Sequence, residues 1–88
     1  MRLRYTQRFI DALRALRPQE KQAVAHTLEW FIEDPTAAGL RNHALQGRLS
    51  GKRSITVDGD LRIVFTERDG YAEVTLLDVG GHAGVYRH

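Results

Sequence analysis

Apolar residues recur with two different periods along this chain, and the change from one to the other divides it. In the first third, Phe9, Leu13 and Leu16 are spaced as on one face of a helix, and Val24, Leu28, Phe31 and Ile32 form a second such stripe. Thr6 is a suitable N-cap for the first helix, which should end near Arg17; Pro18 suits the first turn of the second, and Asp34-Pro35 stops it. So short a connection predicts an antiparallel helix pair. Ahead of it, Leu3 to Tyr5 has the length of a short edge strand. From Lys52 onward the period becomes two. Ile55 and Val57 share one face of a strand, Leu61, Ile63 and Phe65 share a face of the next, and Tyr71 to Val79 is mainly β-favouring. Asp58-Gly59 and Asp69-Gly70 are hairpin signals between these strands, and Gly80-Gly81 ends the third. Between the two regimes, Thr36 to Gly51 reads as a loop with a turn at Gly39 and breaks at Gly47 and Gly51, pinned to the core by Leu40, Leu45 and Leu49.

The predicted class is α+β in the order β-α-α-β-β-β: two antiparallel helices packed on one face of a small, mainly antiparallel, twisted sheet. A chain of 88 residues has room for one such core, so a single domain over 1–88 is expected. If Leu61, Ile63 and Phe65 face the helices, alternation sends Arg62 to the opposite face. There it meets solvent or a ligand, or forms a cross-strand pair with Asp60, Glu73 or Asp78.

Composition narrows the function classes. With 42% hydrophobic and 27% charged residues the chain is ordinary for a soluble domain. No apolar run approaches the roughly 20 residues that cross a bilayer. The opening MRLRYTQRF lacks the apolar stretch of a secretory signal, so a cytoplasmic location is expected. There is no cysteine, hence no disulfide framework and no thiolate metal site. The histidines and carboxylates show no metal-ligand spacing, so neither a metal nor a small-molecule cofactor is expected. A net charge of +2 and a pI of about 9.4 rest largely on arginine, which suits phosphate; an anionic partner and a merely solvated surface both fit.

The candidate chemistry is concentrated in two stretches, Leu40 to Phe65 and Leu76 to Arg87. The first holds His43 in a glycine-punctuated loop, Lys52 and Arg53 at the start of one strand, and Asp60 and Arg62 at the start of the next; the second adds His82 and Tyr86. RNA cleavage needs a base for the 2′-OH proton, an acid for the departing 5′ oxygen and cations for the charge on phosphorus. Histidine suits both proton roles near neutral pH. On this reading His82 is the general acid, His43 or Asp60 the general base, Lys52, Arg53 and Arg62 contact phosphate, and Tyr86 orients or stacks the substrate. Each has a structural alternative. For His43 it is a loop histidine bonded to a carbonyl, for His82 a turn residue, for Asp60 closure of the hairpin, and for Tyr86 a core aromatic. Trp30 reads as packing, His26 as a solvent-facing helix residue and His88 as a terminal one.

The stretches YTQRFIDALRAL, EDPTAAGLRNHALQGRLSGKRS, DGDLRIVF and LLDVGGHAGVY resemble, in order and spacing, the RelE and ParE superfamily of bacterial toxins, and within it the YafQ-like branch. The HxLxG element from His43 to Gly47 is the most specific. The resemblance implies a compact toxin with two helices on a small antiparallel sheet. Such a toxin cleaves mRNA in the A site of the 70S ribosome and is neutralised by a cognate antitoxin. His43, Asp60 and His82 match the branch's catalytic positions, and Tyr86 its aromatic near the C-terminus. Thr56, Leu61 and Asp78 stand where that branch has histidine, tryptophan and arginine. Two other readings stay open: a ParE-like toxin that binds DNA gyrase without catalysis, and a degenerate module that only binds an antitoxin.

Overall fold

The chain begins to fold around Thr6. Its hydroxyl oxygen accepts from the Phe9 N–H (3.1 Å) and lies 3.1 and 3.0 Å from the carbonyls of Leu76 and Leu77. One residue thus caps a helix and ties it to a strand seventy residues away in sequence. In the computed structural model, which describes residues 1–86, β1 (Arg2–Tyr5) precedes this cap, and α1 (Gln7–Arg14) and α2 (Pro18–Glu33) follow it. Then come β2 (His43–Ala44), β3 (Arg53–Asp58), β4 (Leu61–Arg68), β5 (Glu73–Gly81) and the single-turn α3 (His82–Val85), with 3-10 turns at Ala38–Leu40 and Gly47–Leu49. Arg87 and the terminal His88 lie outside the described residues. We expect Thr6→Ala to lower the unfolding free energy by about 1 kcal/mol, the usual worth of an N-cap, seen as an earlier urea midpoint.

The five strands form one sheet in the order β1-β5-β4-β3-β2; β1 runs parallel to β5 and every other pair is antiparallel. The α+β class and the two helices on one face are as the periodicity predicts. Phe9 of α1 and Val24 and Phe31 of α2 are buried with Ile55, Leu61, Ile63, Phe65, Val74, Leu76 and Val79 of the sheet. An edge-on pair at 5.0 Å joins Phe31 to Phe65, and Tyr71 closes the cluster at 6.0 Å from Phe31. Alternation therefore leaves Arg2, Arg4, Ser54, Thr56, Arg62, Val64, Thr66 and Thr75 on the other face, which no long helix covers.

Several boundaries differ from the sequence-based expectation. Helix α1 ends at Arg14 rather than near Arg17, because Arg17 must be extended (ψ 156°) before Pro18. Glu20 then accepts the Arg17 N–H at 3.0 Å, and this bond, with the Arg17 guanidinium beside it, holds the Glu20 carboxyl below its usual range. The first hairpin turns on Gly59-Asp60, not Asp58-Gly59: a register shift between Thr56 and Asp58 brings Asp58 opposite Leu61, and Gly59 takes φ 48°. Tyr71 is not in a strand. Its φ of 70° turns the ring toward Phe31, and β5 starts only at Glu73. Gly80-Gly81 lies inside β5 instead of beyond its end, and the chain then turns into α3, an element outside the expected β-α-α-β-β-β order. No helix among the described residues is long and apolar enough to cross a membrane.

Candidate functional site

The loop from Thr36 to Gly51 is held by one asparagine. Asn42 Nδ2 donates to the Pro35 carbonyl (2.8 Å) and to Tyr71 Oη (2.9 Å), and its Oδ1 accepts from Arg53 Nε (2.8 Å). Leu40 and Leu49 are buried under the loop's ends, while Leu45 is half-buried. Gly39 lets the Trp30 ring lie directly against the backbone, where any Cβ would collide with it. So anchored, the next residue, His43, enters a two-residue strand opposite Ser54. Removing the Asn42 side chain leaves Arg53 and Tyr71 without that partner. Asn42→Ala should therefore cost about 1–3 kcal/mol and speed amide hydrogen exchange around His43.

His43 projects from the same face as Ser54, Val64 and Asp78, because register aligns these four residues in one row across β2, β3, β4 and β5. Its Nδ1 is 2.8 Å from the Arg41 carbonyl. A carbonyl only accepts, so Nδ1 carries the proton, and in the neutral ring Nε2 keeps its lone pair. The contact that a purely structural histidine would make is thus present, and it also selects the tautomer in which Nε2 can take a proton. Ser54 is fully buried, and Tyr86 Oη donates to its Oγ at 2.7 Å. The Tyr86 ring in turn meets His82 edge-on at 4.4 Å. Ser54, Tyr86 and His82 are in contact in this way, His43 is the cross-strand neighbour of Ser54, and both histidines are exposed. Arg62 stands on the same face between Thr56 and Gly80 and donates to the Gly59 carbonyl at 2.7 Å.

Beside this cluster a hollow of about 320 Å³ is lined by Arg8, Leu49, Lys52, Leu77, Asp78 and Val85, among others. It exists because β5 carries one extra residue opposite Val64 and Phe65, so that Leu77 and Asp78 both reach the open face. Asp78 is buried, and one of its oxygens accepts the Val79 N–H at 2.9 Å.

Two candidate residues are elsewhere. Arg53 alternates with Ser54 and lies on the helix side, where it holds Asn42. Its place is that of a support for the His43 loop, not a contact on the open face. Asp60 lies at the hairpin, lining a second hollow with Arg17, Glu20 and Asp58. Ser54 was not among the expected site residues, although alternation contains its signal. It shares the face of Thr56 and Arg62, opposite to that of Ile55, so the pattern that places Arg62 places the serine too. Among the described residues no three histidine or carboxylate groups gather as metal ligands.

The fold matches known structures. The chain superposes on YafQ from E. coli strain BL21(DE3) with a TM-score of 0.81 and 18% identity, covering 98% of this chain and 99% of that one. For the YoeB/ParE toxin from Agrobacterium tumefaciens the TM-score is 0.76 at 15% identity, over 93% and 99% of the two chains. For the RelBE2 toxin-antitoxin complex from Mycobacterium tuberculosis it is 0.67 at 25% identity, over 91% and 95%. No protein-family model and no curated protein sequence matches at a significant level. The chain has the fold of the RelE and YafQ toxins, as its loop and strand motifs implied.

Proposed function

We propose that the protein is the toxin of a type II toxin-antitoxin pair and an endoribonuclease that cuts mRNA in the ribosomal A site by histidine acid-base chemistry. The observation that carries this reading is the row that sets His43 beside Ser54, with Tyr86 bonded to Ser54 and packed on His82, on the open face of a toxin fold. His43 Nε2 takes the 2′-OH proton, O2′ attacks phosphorus, and His82 protonates the departing 5′ oxygen. The products are a 2′,3′-cyclic phosphate and a 5′-hydroxyl. Arg62 and Lys52 offset the charge that builds on the phosphoryl oxygens, and Tyr86, held by Ser54, positions the substrate. An antitoxin with an acidic segment would fold against the same basic face and block it.

The test is the chemistry of the ends. Purified protein added to programmed ribosomes should release fragments ending in 2′,3′-cyclic phosphate, paired with 5′-hydroxyl ends. Fragments with 3′-hydroxyl ends would exclude this mechanism. One observation favours a second reading. Asp78 sets a buried carboxylate in the same cross-sheet row as His43, and a carboxylate does not itself bind the phosphate that cleavage needs there. A ParE-like binder of DNA gyrase would not need that phosphate, and would block supercoiling while leaving the message whole.

A further inference from the structure

The open face has a second concentration of charge, at the end of the sheet away from Arg62. Register aligns Arg2, Glu73 and Arg68 in one row across β1, β5 and β4, and Arg4, Thr75 and Thr66 in the next. All six side chains share the open face, because Leu3 and Val74 between them, and Phe65 next to Thr66, pack into the core. Three guanidiniums converge on one carboxylate: Arg4 is 3.5 Å and Arg2 4.0 Å from Glu73 Oε1, and Arg68 is 3.8 Å from Oε2. These are long contacts, and the three arginine side chains are 62–77% exposed. Glu73 therefore holds the arginines together without saturating their donors, and the trio keeps a surplus of two positive charges. Arg4, Arg68, Glu73 and the two threonines enclose a hollow of about 130 Å³ with no apolar side chain in its wall.

We propose that Arg2, Arg4 and Arg68 form a remote cradle for a backbone phosphate of single-stranded RNA, an inference that rests on RNA being the substrate of the His43 site. Four residues of β4 separate Val64, in the His43 row, from Arg68, on the order of 13 Å at the usual strand rise. A single strand crosses that distance in a few nucleotides, with Lys52 alongside. The wall chemistry selects RNA over an acidic peptide. A peptide that folds on binding needs apolar anchors, which this hollow lacks, whereas a phosphate needs only guanidinium and hydroxyl donors.

The probe is a labelled single-stranded RNA carrying 2′-O-methyl groups throughout, which blocks attack by O2′, with binding followed by fluorescence anisotropy. Arg4→Ala/Arg68→Ala should weaken binding about tenfold and reduce the slope of log affinity against log salt by roughly 0.7, the share of one phosphate on a single strand. Glu73→Gln removes the competing anion and should tighten binding. A dinucleotide probe, too short to reach from the histidines, should not distinguish these variants from the wild type. Equal affinities for the long probe, or a Glu73→Gln variant that is less stable and binds no better, would reduce the cradle to an ion-pair network. Weakened capture of an acidic antitoxin peptide with unchanged RNA affinity would overturn the proposal in favour of that partner. If the cradle variants lose RNA affinity but the wild type cuts no message, the cradle stands and the nuclease reading fails.

Discussion

His43→Ala is expected to lower the single-turnover rate of cleavage on programmed ribosomes by about 10²–10⁴-fold, the usual worth of a positioned general base. His43 is exposed and its ring bonds to the Arg41 carbonyl, so its removal opens no cavity in the core. The thermal midpoint should therefore stay close to that of the wild type. His43→Asn serves as a companion: its amide can keep a hydrogen bond to the carbonyl but cannot take a proton, and it should be as slow as alanine. If asparagine restores the rate, His43 supports the loop and the base lies elsewhere. Asp60 would then be the next group to replace, although it lines the hollow at the start of α2.

The largest effect on stability should follow from Phe31→Ala. Phe31 is fully buried and packs at 5.0 Å on Phe65 and at 6.0 Å on Tyr71. Truncating such a ring costs about 3–5 kcal/mol, a large part of the roughly 5–15 kcal/mol that typically holds a domain folded. For a domain of this size the melting temperature should fall by about 12 °C or more. The effect should also reach the site. Tyr71 rests on Phe31 and holds Asn42, and Asn42 fixes the loop that presents His43. Calorimetry with amide exchange in the same variant measures both. A cost below about 1 kcal/mol, far under the usual range for a buried ring, would mean that this end of the core repacks. The support for the His43 loop would then come from Leu40 and Leu49 instead.

Much of this fold is legible in the sequence, because two periodicities decide it. Helical spacing from Phe9 to Phe31 and alternation from Ile55 to Phe65 identify the buried face of each element, and Arg62 on the open face follows from alternation alone. Long-range pairing left no such trace. Nothing local says that Leu3 and its neighbours run parallel to β5, or that two loop residues, His43 and Ala44, add an edge strand to β3. The site was half legible for the same reason. The HxLxG loop and the glycine turn indicated His43 and His82, but strand neighbours decide which residues join them. Register puts Ser54 beside His43, and the turn after Gly81 brings Tyr86 onto Ser54. The same alternation carries Arg53 to the helix side, away from the open face. The Leu77 bulge, which turns Asp78 to the open face, adds one residue that no periodic pattern encodes.

The most direct test of the central claim is primer extension on a defined message translated in a purified system, with wild-type protein beside His43→Ala and His82→Ala, and a gyrase supercoiling assay in parallel. A ribosome-dependent nuclease of this design should give discrete cuts on the translated message, none on the same RNA without ribosomes, and no cuts with either folded histidine variant. An intact message together with blocked supercoiling would contradict that claim and make the protein a gyrase-binding toxin.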